Sequence, residues 1–204
     1  MKKLAGIIVV MAMAVSLQAQ EEETETKTKA FKKENLFTGG SITVSFFSGG
    51  TVLGISPYFG YSVTKFIDVA VSGNVNYTSV RDVSSYGDKA RQTVIGPGAF
   101  VRLYPVRFLF AQAQYERNFI KEKYFYPSNT ALPSETTRYS ASSFLIGGGY
   151  CSGRQEPGDI FYYFSVMWDV KKDALSPYVD GLNRSVPIIR AGLHIPLFQG
   201  NGTK

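Results

Sequence analysis

His194 and Cys151 are the only histidine and the only cysteine in the chain. They are also its side chains with the widest chemical range. One of each cannot supply the closed nitrogen and sulfur ligand set of a structural zinc site. A histidine activates a serine nucleophile only when the two lie within hydrogen-bond reach and an acid orients the ring. Gly192 and Pro196 are the residues two places from His194 on its own strand face, and neither is a nucleophile. A lone cysteine forms no internal disulfide, so Cys151 is expected as a free thiol in or beside a turn. The glycine runs Gly96–Gly98 (GPG) and Gly147–Gly149 (GGG) are followed by no helix, which a phosphate-binding loop requires. No catalytic, metal or cofactor site is expected, and the chain does not read as an enzyme.

The charged residues are more informative, because their positions in the local pattern are uneven. Arg102, Glu116, Asp169 and Arg190 each stand on the polar side of an alternating segment, as does His194. Together they are expected to form a buried network of ion pairs and hydrogen bonds. Arg117 is the one charge on an apolar side, between Tyr115 and Phe119, and Lys121 and Lys123 follow it. A guanidinium at the edge of an apolar surface can reach phosphates and bind them bidentately.

The elements carrying these residues are strands. Eight segments alternate with period two: 41–47, 51–62, 67–78, 92–104, 108–119, 139–150, 160–170 and 186–198. In the third, Ile67, Val69, Val71, Val75 and Tyr77 oppose Asp68, Ser72, Asn74, Asn76 and Thr78. Such alternation marks a strand with different solvents on its two faces. In the sixth, the glycines leave the facing open. The polar faces hold Asp68, Arg102, Glu116, Asp169 and Arg190, while the apolar faces hold only Arg117. A soluble barrel of lipocalin type needs a charged exterior. An apolar exterior suits lipid, where a charge at mid-depth costs about 2–4 kcal/mol. The expected fold is all-β: an eight-stranded antiparallel up-and-down transmembrane β-barrel. Tyr61 and Tyr162 at one end of the apolar faces, with Phe46, Tyr77, Phe119 and Trp168 at the other, suit aromatic girdles.

The flanking segments agree. Lys2 and Lys3 precede an apolar run, Leu4–Leu17, that is too short for a spanning helix and reads as a signal peptide over residues 1–19. Residues 20–37 read as a polar periplasmic lead-in, residues 38–198 as the barrel and residues 199–204 as a tail. The net charge is +6, or +4 after subtracting Lys2 and Lys3, and it is scattered rather than gathered in a stripe. Nucleic-acid binding is not expected. Short connections alternate with longer ones, which places both termini in the periplasm and the long loops outside.

The segments Ile55–Tyr77, Ile95–Pro105, Phe144–Tyr150 and Ile188–Phe198 resemble the small Gram-negative outer-membrane β-barrel family often labelled porin-like. The resemblance spans roughly Thr38 to Phe198. It implies an outer-membrane location and contact with the barrel-insertion machinery. The last strand is similar to the signal that machinery reads, with Arg190, Gly192, Ile195 and Leu197 in matching roles. The family's frequent aromatic terminus differs here, since QGNGTK follows Phe198. An eight-stranded barrel is about filled by its own side chains. The expected function is therefore a structural or surface-interaction protein acting through external loops. It is expected as a monomer among outer-membrane lipids, with Arg117, Lys121 and Lys123 touching lipopolysaccharide. A small-solute channel is the alternative, with a soluble exported ligand-binding barrel behind it.

Overall fold

A computed structural model of the chain describes residues 32–47, 50–127, 132–154, 159–180 and 182–198. The signal peptide, most of the lead-in and the C-terminal tail lie outside the described residues. A 3₁₀ turn, Lys33–Asn35, leads into eight strands. They are β1 (Leu36–Phe47), β2 (Gly50–Thr64), β3 (Ile67–Arg81), β4 (Lys89–Val106), β5 (Leu109–Phe125), β6 (Glu135–Cys151), β7 (Phe161–Asp169) and β8 (Ile188–Pro196). Each pairs antiparallel with its sequence neighbour, and β8 returns to β1, closing the barrel. Closure removes every free sheet edge along the shared seam.

The alternation sets the faces as expected. Ile42, Ile55, Val69, Val71, Ile95, Val101 and Leu193 are exposed on the outer surface. Asp68, Asn74, Asn76, Arg102, Gln114, Glu116, Asn118 and Arg190 are buried inside. Val71 is 61% exposed while neighbouring Ala70 is 7%, which is the period-two signal in three dimensions. Tyr77, Phe119, Tyr162 and Trp168 are exposed on the outer face. The side chain of Phe46 lies outside the described residues. In β6 the structure settles the facing: Phe144, Ile146 and Tyr150 point outward, while Ser143, Leu145 and Cys151 are buried. Leu145 and Ile146 are adjacent and both apolar, and three glycines follow, so no contrast of side chains existed to read.

Several boundaries differ from expectation. β1 begins at Leu36 rather than beyond Thr38, because Phe37 is buried and sits opposite Pro196. The connections expected over 79–91 and 120–138 are shorter than that, because strand continues into both ends of each. β3 and β4 stay paired to Arg81 opposite Lys89, and β5 and β6 to Tyr124 opposite Glu135. On these extensions the outward face turns charged, with Arg81, Lys89, Arg91, Lys121 and Lys123, while the inward face keeps Val80, Ala90 and Ile120, so the apolar-outward pattern is lost although the ladder hydrogen bonds continue.

Inside, the end holding the termini is packed with aromatic rings: Phe37, Tyr58, Phe100, Tyr104, Phe110, Phe161 and Tyr163. Nearer the far end, Leu145, Met167 and Ile188 pack against Tyr178. Tyr178 belongs to the connection 170–187, which folds back into the barrel mouth. Glycines permit close strand approach. A Cβ on Gly96 would lie 2.0 Å from the carbonyl oxygen of Arg117, and one on Gly147 would lie 2.1 Å from that of Val166.

Candidate functional site

Of Arg102, Glu116, Asp169, Arg190 and His194, the first four are linked by hydrogen bonds inside the barrel. Glu116, projecting inward from β5, is the centre of that network. Its Oε1 accepts from Arg190 Nη2 at 2.9 Å and from Gln114 Nε2 at 2.8 Å. Its Oε2 accepts from the Tyr178 hydroxyl at 2.8 Å. Arg190 also donates from Nη1 to Gln114 Oε1 at 3.1 Å. Both charges are buried, so the pair has lost its water and depends on these fixed partners.

Toward the far end, Asp169 Oδ2 accepts from the Ser176 hydroxyl at 2.6 Å, and Ser176 meets Ser143 at 2.9 Å. Asp169 Oδ1 also accepts the backbone N–H groups of Phe144 and Lys171. Asp169 thus fastens the start of the inward-folded connection to the barrel wall. Asn118 bonds to Ser143 and accepts from Asn74, which links β3, β5 and β6.

Toward the termini, Gln112 Nε2 donates to Gln114 Oε1 at 2.7 Å, and Arg102 Nε donates to Gln112 Oε1 at 2.9 Å. Arg102 forms no ion pair among the described residues and enters the network through hydrogen bonds. Its guanidinium lies 4.4 Å from the ring centre of Tyr163, 4.5 Å from Phe110 and 5.0 Å from Phe100. Ring faces carry negative charge density, so they stabilise a desolvated cation in place of a carboxylate.

His194 departs from its expected role. It is fully buried, but neither ring nitrogen has a hydrogen-bond partner. The imidazole is stacked on Phe161 at 4.3 Å and packed on Phe37 at 4.3 Å. It belongs to the aromatic cluster and not to the polar network. The cause is position: the rings come from the two strands beside β8, Phe161 directly opposite it on β7 and Phe37 on β1. Cys151 is a free, buried thiol that donates to the carbonyl oxygen of Arg107 at 3.4 Å.

Two members of the lumen network were missed in the sequence. Arg154, from the connection between β6 and β7, forms an ion pair with Asp68 at 2.6 Å, and both are buried. Asp68 also accepts from Ser62 and from Tyr104. The second is Tyr178. Both reside in connections, where no alternation tells inward from outward. Asn74, Gln112, Gln114 and Asn118 were legible, since they share the inward parity of Asp68 and Glu116. At mid-lumen a void of about 10 Å³ lies between Tyr58, Gln114 and Arg190. That is room for about one water molecule.

On the outer face, Arg117 is exposed as its parity requires. Its Nη1 donates to Ser142 at 2.9 Å and its Nη2 to Ser140 at 2.8 Å, so β6 holds the guanidinium against the wall. Lys121 and Lys123 stand on β5 itself rather than in a loop, again because the ladder continues. Arg91 lies opposite Lys123, and Arg138 opposite Lys121. All five side chains share outward parity. No Asp or Glu shares that face on β4, β5 or β6.

A closed, eight-stranded antiparallel barrel with charges inside and an apolar exterior is the architecture of the small Gram-negative outer-membrane β-barrels. No family model matches the sequence, and no curated protein matches it. Among solved structures, the chain is similar to Ail, the attachment invasion locus protein of Yersinia pestis, in complex with the heparin analogue sucrose octasulfate. The identity is 8%, over 78% of this chain and 92% of that one, with a TM-score of 0.42. It is also similar to the N-terminal β-barrel domain of Pseudomonas aeruginosa OprF, at 15% identity over 79% and 95% of the two chains, TM-score 0.41. Neisserial surface protein A matches at 12% identity over 79% and 95%, TM-score 0.40.

Proposed function

We propose that this protein is an integral outer-membrane barrel with a closed lumen, held at the outer leaflet by its cationic face and acting as a structural or surface-interaction protein. The observation that carries this reading is the segregation of charge. Along the strands, acids and paired arginines lie inside, apolar side chains lie outside, and the outward charges of β5 are cations that start at Arg117 in mid-strand and continue through Lys121 and Lys123 toward the Phe125 end. Arg91, Arg117, Lys121, Lys123 and Arg138 would meet the phosphates of lipopolysaccharide. Arg117 is already oriented by Ser140 and Ser142, and three of its N–H groups are left over for a phosphate. Each such cation near an anionic surface contributes about 1 kcal/mol.

The test is lipopolysaccharide binding by the folded barrel across a salt series. Arg117→Leu is expected to weaken binding several-fold while the barrel stays folded, because apolar residues suit this face. Adding Lys121→Gln and Lys123→Gln is expected to weaken it further and to flatten its salt dependence. Binding equal to the parent at every salt concentration refutes the anchoring role. A closed lumen predicts negligible steady conductance in planar bilayers, and stable ohmic openings would favour a channel instead.

A further inference from the structure

The barrel end opposite the termini contains a cavity of about 730 Å³ that nothing above assigns. Ser176 and Tyr178, which also belong to the lumen network, are on its lining together with Ile188. Its walls are largely apolar, with Val52, Val80, Leu175 and Val186 among them. Small-molecule sites have volumes of about 300–1,000 Å³, mostly apolar walls and a few convergent polar groups. This cavity meets each condition.

Two polar groups on its lining point to a ligand. Thr43 is 2% exposed, and its hydroxyl has no hydrogen-bond partner. Buried hydroxyls are nearly always partnered, because leaving one unpaired costs free energy. Glu122 accepts from the Tyr139 hydroxyl at 2.7 Å, and that hydroxyl accepts from Gln92 Nε2 at 3.0 Å. Glu122 forms no ion pair among the described residues. The lining's other charges, Asp180 and Arg184, are paired with each other at 2.8 Å. The lining therefore carries one uncompensated negative charge.

We infer that this cavity binds a small amphipathic cation, an ammonium on an apolar body, with the ammonium at Glu122 and the body against the valines. An anionic ligand would face Glu122, and Arg184, the one cation on the lining, already donates from Nε to Asp180. The site is independent of the outward cationic face, since Glu122 points into the barrel while Lys121 and Lys123 beside it point away.

The test uses the folded full barrel in lipid nanodiscs, titrated by calorimetry or NMR with 2-phenylethylammonium and with its neutral analogue 2-phenylethanol. The ammonium is expected to bind about tenfold more tightly than the alcohol, the scale of one charge-assisted hydrogen bond. Glu122→Gln keeps the shape and the Tyr139 contact and is expected to erase that preference. Val52→Trp, or Val80→Phe should the first not fold, is expected to abolish binding of both probes by filling the cavity. Lys65→Gln, in the turn between β2 and β3, is expected to change neither. Absence of saturable binding by the parent overturns the proposal. So does equal binding of the two probes, or a preference that survives Glu122→Gln.

Discussion

Replacing Glu116 by glutamine preserves the shape at the centre of the lumen and removes one charge. Arg190 Nη2 stands 2.9 Å from the carboxylate. At an effective dielectric of about 20 that separation corresponds to a gross attraction of roughly 6 kcal/mol. Desolvation offsets much of it, but a buried arginine left without its acid typically costs about 3–5 kcal/mol. Tyr178 would then face an amide oxygen instead of a carboxylate, which weakens its hold on the folded-back connection. With a urea slope of about 2 kcal/mol per M, the unfolding midpoint is expected to fall by about 1.5–2.5 M. Trp168 is the only tryptophan in the sequence and faces outward, so its fluorescence reports the folded barrel in lipid vesicles directly. Adding Arg190→Met removes the stranded charge and is expected to recover at least about half of the loss. A midpoint shift below about 0.3 M for the single variant would refute this account, given the extrapolation error of such experiments. A double variant less stable than the sum of its parts would refute it as well.

Glycine positions separate by geometry. Gly96→Ala is expected to destabilise the barrel by about 1–3 kcal/mol or to block its folding, because the new Cβ meets a backbone carbonyl. Gly73→Ala meets nothing within 4 Å and is expected to be neutral, and equal effects in the same urea assay would overturn the close-approach argument. Asp88 gathers the loop between β3 and β4. Its burial favours the neutral acid, but hydrogen bonds from the Tyr124 hydroxyl and from the N–H groups of Ser84, Ser85 and Val83 override that and hold its carboxyl below the usual range. A depressed value means the stabilisation is full above the ordinary aspartate value of about 3.9 and is lost as pH falls through the lower folded value. Protection of the Val83, Ser84 and Ser85 amides, relative to their intrinsic exchange rates, should therefore fall in acid while that of the ladder does not. Unchanged protection of these three amides in acid would contradict it.

Much of this was readable because a barrel wall imposes a single rule on every residue it contains. Wherever one face meets hydrocarbon and the other meets polar groups, as at Ile67–Tyr77 or Leu109–Phe119, parity alone placed the side chains. The rule failed where its contrast vanished. At Gly147–Gly149 there were no side chains to compare, and toward Arg81 and past Phe119 the outward face turns charged while Val80 and Ile120 face inward. Connections follow no such rule. Nothing in the order of residues 170–187 distinguishes a loop that leaves the barrel from one that lowers Tyr178 onto Glu116. Arg154 was silent for the same reason. His194 shows a further limit: parity located it inside, yet the partners at its level come from β1 and β7, far away in the chain.

The seam between β1 and β8 has a consequence for the order in which the molecule assembles. Every other pairing joins strands adjacent in sequence and can form locally as a hairpin. The seam joins Phe37 to Pro196 and extends only as far as Thr43 opposite Arg190, whereas β5 and β6 are paired from Leu109 opposite Tyr150 to Tyr124 opposite Glu135. Bringing the two ends of the chain together carries the largest loop-closure entropy for one of the shortest ladders. The seam is thus the last zipper to close and the first to open, and a chain halted before Ile188 would leave two unpaired strand edges seeking a partner.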